Sequence, residues 1–142
     1  MAQDKVPAAS KTKLVRTLEY DMEMFLVQCV ERYTELAGKY GAILQRVSTP
    51  FVEDLATGPD YTEESGVLKP IASKVLMKIL YAARMCRYDL LRATCALASM
   101  VTKWTPSCDK KLHRLVSYIH STLALRLAAW VGDHPKDMTV KL

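Results

Sequence analysis

Leu112, Leu115, Val116 and Ile119 stand at i, i+3, i+4 and i+7, a spacing that gathers four apolar side chains on one face of an α-helix and on neither face of a strand. Thr105-Pro106 precedes them, an N-cap residue followed by a proline whose missing amide costs nothing in a first turn. The pattern predicts a helix over 107–121. Ile71, Val75, Ile79, Ala82, Ala83 and Cys86 repeat the period over 70–86 from Pro70, and Leu76, Leu80 and Met85 widen the stripe until two faces need burial. Leu90, Ala93, Thr94, Leu97, Ala98 and Val101 mark a helix over 89–103 capped by Asp89. The short connection before it makes these two helices antiparallel or sharply angled neighbours. Phe25, Leu26, Cys29, Tyr33, Leu36, Ala37 and Tyr40 mark a helix over 22–40, capped by Asp21 and stopped by a left-handed Gly41. Leu97, Leu112, Leu115, Val116 and Ile119 are expected in the core.

The remaining segments lack that period. Residues 1–12 read as a loose polar tail and 13–20 as a short strand or a helical lead-in to the first helix, the two parts forming a segment 13–46. Pro50, Gly58-Pro59, Gly66 and the acids Glu53, Asp54, Glu63 and Glu64 oppose regular structure, so 47–69 is expected as a loop or linker. After Thr122 the alternation of Leu123, Leu125, Leu127, Ala129 and Val131 with their neighbours changes the period to two. Gly132-Asp133-His134-Pro135 then supplies a turn before Met138-Thr139-Val140. A β-hairpin is expected over 123–142, and since an isolated hairpin is marginal in water, its sheet should continue beyond it. The fold class is mainly α, an α+β fragment of about four helices with a long loop after the first and a C-terminal β-hairpin.

With 142 residues, half of them apolar and a quarter charged, the chain has the composition of one globular domain. Its uncharged runs reach about half of the roughly 20 residues that cross a bilayer. The first residues have no basic start and apolar core of a signal peptide, so an intracellular chain without a membrane partner is expected. Cys29, Cys86, Cys95 and Cys108 lie in or beside helical patterns, at spacings that fit no compact disulfide framework, and read as free thiols used as small core residues. His113 and His120 are seven apart on one predicted helix, about 10 Å along its axis, too far to share a zinc ion, and His113 is expected on the solvent side. No base and orienter converge on a cysteine, and the adjacent acids fall in the loop. The five glycines are scattered singly, without a phosphate cradle. No catalytic residue, metal or cofactor follows from the sequence.

Charge is the feature with chemical content. Residues 69–126 hold 11 lysines and arginines against 2 acids, whereas residues 1–68 hold 7 against 11. Such a basic segment attracts phosphates without regard to base sequence. Lys74, Lys78, Arg84, Arg87, Arg92, Lys110, Lys111 and Arg114 are the candidate nucleic-acid contacts. Tyr81, Tyr88, Trp104 and Tyr118 are available for stacking on bases or for core packing.

From Leu18 onward the order of motifs resembles the C-terminal part of the reverse transcriptase of copia-type retrotransposons. FLVQCVERYTELAG from Phe25, followed by VSTPF from Val47, resembles the family's helix and V-S-T-P turn after the last palm strands. The stretch from Ile71 to Pro106 resembles its long helix pair, with Leu80-Tyr81-Ala82 and Arg87-Tyr88-Asp89-Leu90 in place of its G-S-L-L-Y-L and T-R-P-D-I motifs, and with Tyr88 where the family prefers proline. KKLHRLVSYIHSTLALRL from Lys110 resembles the helix and strand that lead into ribonuclease H, with Ser121-Thr122 in place of Gly-Thr. The resemblance implies a thumb-and-connection segment over 70–122 and the start of ribonuclease H over 123–142. Such a segment grips an RNA–DNA hybrid or double-stranded template-primer and joins the palm to ribonuclease H within the polyprotein. The family's paired palm aspartates are expected before residue 1 and its S-D-A-D segment after residue 142, because Tyr20-Asp21 is followed by Met22 and no Asp-Asp occurs. The chain alone is then expected to be inactive as an RNA-directed DNA polymerase. The alternative is a free-standing helical protein-interaction module that docks a partner on the wide second helix.

Overall fold

The structure, a computed structural model, describes residues 16–52 and 64–131. The chain divides into two compact units, Tyr20–Leu127 and a smaller one drawn from both ends, Met1–Glu19 with Ala128–Leu142. Among its described residues the larger unit holds four α-helices: α1 (Glu23–Ala37), α2 (Lys69–Met85), α3 (Leu91–Ser99) and α4 (Pro106–Ser121). Strand β1 (Arg16–Tyr20) is hydrogen-bonded to strand β2 (Leu127–Val131) in a two-stranded sheet. The fold is thus mainly α with a small β component, as the periodicity predicts. Residues 16–20 are a strand and not a helical lead-in, and they supply a neighbour for β2. Met138-Thr139-Val140, the expected second arm of the hairpin, lies outside the described residues, as do the tail at 1–12 and the middle of the expected linker.

The apolar stripes become one core. α1 packs on α2 and α4, and α3 packs on the same two helices. Leu26, Cys29 and Tyr33 of α1 meet Val75, Leu76 and Ile79 of α2, Leu97 of α3, and Leu112, Leu115, Val116 and Ile119 of α4 in one buried cluster. All five residues expected in the core are buried. Ala72, Ala82, Ala83 and Ala93 sit among them and let the helices approach closely.

The helix ends depart from the sequence reading in three places. Met22 occupies the cap position of α1, one residue after the expected Asp21, yet the Asp21 carboxylate still accepts the Glu23 amide at 2.9 Å. At the other end Gly38, with φ 54°, makes the left-handed turn expected of Gly41. Gly41 follows in a 3-10 turn, where an added Cβ would lie 3.1 Å from Ala37 Cβ and 3.2 Å from the Tyr33 ring. Asp89 does not cap α3. It lies inside a 3-10 turn, Tyr88–Leu90, and α3 begins at Leu91, because its carboxylate is held by side chains described below.

Residues 43–51 run along α4 without regular structure and are tied to it by three side chains. The His113 ring meets the Ile43 carbonyl at 3.0 Å, Arg114 donates to the Thr49 carbonyl and hydroxyl, and Ser121 Oγ accepts the Val47 amide. An irregular segment needs such partners because its carbonyls and amides have no ladder to join.

Candidate nucleic-acid interface

Between Lys69 and Ser121 the chain carries ten lysines and arginines and two aspartates. The fate of the two acids decides the electrostatics of this surface. Asp109, in the first turn of α4, is 2% exposed. Its Oδ1 accepts the Trp104 indole N–H at 2.6 Å and the Leu68 amide at 3.0 Å, and its Oδ2 accepts the Val67 amide at 2.6 Å. Three donors and the positive end of α4 together stabilise a buried carboxylate. The segment entering α2 is thereby fixed to the start of α4. Gly66 permits the approach, since a Cβ there would come within 2.6 Å of the Thr105 carbonyl and 2.7 Å of Asp109 Oδ1.

Asp89 is committed in another way. Its two oxygens accept Arg87 Nε at 3.0 Å and Arg87 Nη2 at 2.9 Å, the paired geometry natural to a guanidinium and a carboxylate, and Oδ2 also accepts the Tyr118 hydroxyl at 2.9 Å. Arg87 further donates to the carbonyl and hydroxyl of Thr122 at 3.0 and 2.8 Å. The turn between α2 and α3 is thus clamped to the end of α4. Burial pushes the Asp89 carboxyl upward, but the hydrogen bonds from Arg87 and Tyr118 outweigh it and hold the group below its ordinary value.

The candidate contacts consequently divide. Lys74, Arg84, Arg92 and Lys110 are exposed, and Lys78, Lys111 and Arg114 are half-buried. Arg87 is a correction: at 2% exposure, with its guanidinium satisfied by Asp89 and Thr122, it cannot reach a phosphate. The Lys78 ammonium lies over the Phe25 ring at 5.6 Å and the Arg92 guanidinium over Phe51 at 5.3 Å, cation–π contacts that hold each charged head against a ring.

The four aromatic candidates separate as well. Trp104 and Tyr118 are buried and serve the two aspartates. Tyr81 and Tyr88 are 55% and 57% exposed. Met77 and Met85 are exposed beside them, so the outer side of α2 and the turn after it carry rings, thioethers and cations together.

His113 is a second correction. It is half-buried between α1 and the segment that follows, with Nδ1 2.8 Å from the Tyr33 hydroxyl and Nε2 3.0 Å from the Ile43 carbonyl. A carbonyl only accepts, so Nε2 carries the proton and Tyr33 donates to Nδ1. Burial, with Tyr40 and Asp109 nearby, raises the Tyr33 hydroxyl far above its usual range. Cys29, Cys86 and Cys108 are buried free thiols, but Cys95 is exposed and is not a core residue. Burial pushes the Cys29 thiol up to about 11 against the pull of Lys78. Among the described residues no three or more His, Cys, Asp or Glu side chains stand together. Nor is any described helix long and apolar enough to cross a membrane.

Comparison with known proteins finds no family model, no curated protein and no solved structure that matches the chain. The site stands on its own geometry. Sequence reasoning missed the burial of Asp109 and the pairing of Asp89 with Arg87. The Arg87 to Asp89 spacing was a signal for the clamp, whereas the link from Asp109 to Leu68 spans 41 residues and left none.

Proposed function

We propose that this chain binds the phosphate backbone of nucleic acid through the outer surface of α2, α3 and α4. Its role is that of the thumb-and-connection region of a copia-type reverse transcriptase. The ligand is an RNA–DNA hybrid or double-stranded nucleic acid, held without sequence preference. Catalysis belongs to the palm and ribonuclease H regions of the parent polyprotein. The observation that carries the reading is the commitment of both acids, Asp109 by burial and Asp89 by its pairing with Arg87, which leaves this stretch a surface rich in lysine and arginine. Cations arranged in this way release counterions from a duplex and attract it over a Debye length.

The test is the salt dependence of affinity for an RNA–DNA hybrid, followed by fluorescence anisotropy. Neutralising Lys74, Arg84 and Lys110 together should lower the slope of log affinity against log salt by about 0.9 for each phosphate that is no longer neutralised, as on B-form DNA. Arg87→Lys is the control, because a buried residue contributes to the fold and not to the slope. Affinity that ignores salt would refute the reading. It would favour the alternative, a protein-interaction module, for which exposed Met24, Met77 and Met85 are the supporting observation.

A further inference from the structure

Lys74, Met77, Lys78, Tyr81, Arg84 and Met85 project within about 120° of one another around α2, at 100° per residue. Tyr88, in the turn that follows, adds a second exposed tyrosine. A duplex has no use for such rings, since the faces of its bases are already stacked. Unpaired bases do, because an exposed aromatic ring offers any base a stacking surface while neighbouring cations hold the phosphates. Resting on nucleic-acid binding as proposed above, we infer that the outer stripe of α2 is a contact site for unpaired nucleic acid. Tyr81 and Tyr88 stack on bases, Met77 and Met85 flank them, and Lys74, Lys78 and Arg84 meet the phosphates.

Several local features fit this occupant. α2 contains no acidic residue, so an anionic strand meets no like charge from the helix itself, and the Asp89 carboxylate beside Tyr88 is paired with Arg87. Tyr81 is braced from below by Phe25, ring centroids 5.2 Å apart at 55°, and Lys78 packs on the same Phe25 ring. A tyrosine held by a neighbour loses little side-chain freedom on binding. Phe25 thus acts as a positioning residue beneath the stacking ring.

The experiment compares a fluorescent single strand of about 15 nucleotides, long enough for one such site, with a duplex of the same length. Tyr81→Ala with Tyr88→Ala should weaken single-strand binding between about fivefold and a hundredfold. Duplex affinity and the salt slope should stay as they were. Tyr81→Phe with Tyr88→Phe keeps the rings and should restore single-strand binding. Tyr88→Ala alone, at a ring set off from the core, gives a variant whose folding is not in question. Neutralising Lys74, Lys78 and Arg84 should remove about 0.7 of slope on single strands for each phosphate freed of its cation.

Equal loss for both probes, or no loss for either, in the tyrosine variants would overturn stacking while leaving backbone binding intact. Binding of both probes that ignores salt would overturn the two readings together. Equal competition by polyglutamate would assign the stripe to an acidic peptide and refute the nucleic-acid site.

Discussion

At the scale of single residues, Gly66 and Asp109 behave as one unit. A methyl group at Gly66 must displace a backbone carbonyl, a carboxylate oxygen and the Trp104 ring at once. Gly66→Ala is therefore expected to cost about 1–3 kcal/mol, as overpacking does, and Asp109→Ala about 2–5 kcal/mol, because it leaves the buried Leu68 amide and Trp104 indole without an acceptor. Urea unfolding of both variants checks this, and the double variant should lose less than the sum, since both changes act on the same contact. Asp89 gives a pH dependence. Its folded value is depressed below the ordinary 3.8, so the stability it contributes is fully present above that value and is lost as pH falls through the folded value. Unfolding midpoints followed from about pH 6 to about pH 2 should fall at the acid end, and fall less steeply in Asp89→Asn. An identical acid profile for the variant would sink the assignment.

At the scale of elements, α4 organises the larger unit. It carries the cleanest apolar stripe, receives α1 and α3, and ties down residues 43–51. Leu115→Ala should cost about 2–5 kcal/mol, the range for a fully buried leucine whose site cannot collapse; an unchanged denaturation midpoint would contradict this packing. Helix existence and core membership were legible because periodicity is a local signal carried by side chains four residues apart. The ends were less so. Asp21 and Asp89 are each chemically able to cap, and their placement depended on where the chain had to go next. Asp89 was claimed by Arg87 and Tyr118, an outcome set by tertiary contact. Gly38 and Gly41 stand three residues apart, and either suits a left-handed turn. The crowding of Gly41 against Tyr33 and Ala37 is visible only after folding.

At the scale of the whole molecule, the basic surface was legible in outline and wrong in one member. Counting cations along the sequence cannot separate Arg84, which faces water, from Arg87, which is enclosed. The tyrosines were equally undivided until burial sorted them. The proposed thumb-and-connection role leaves catalysis to the palm and ribonuclease H regions, so the chain supplied with magnesium, nucleotides and a primed template should give no extension. Extension would overturn the role.

The pairing of β1 with β2 has an engineering consequence. The strands leading into α1 and out of α4 are hydrogen-bonded neighbours, so in sequence the four helices connect two paired strands, as a few turn residues do in an ordinary hairpin. A unit whose entry and exit lie side by side can be moved as a cassette. Grafted at Tyr20 and Leu127 into an exposed β-turn of an unrelated host, the four helices would be spliced without stretching the host's strands apart.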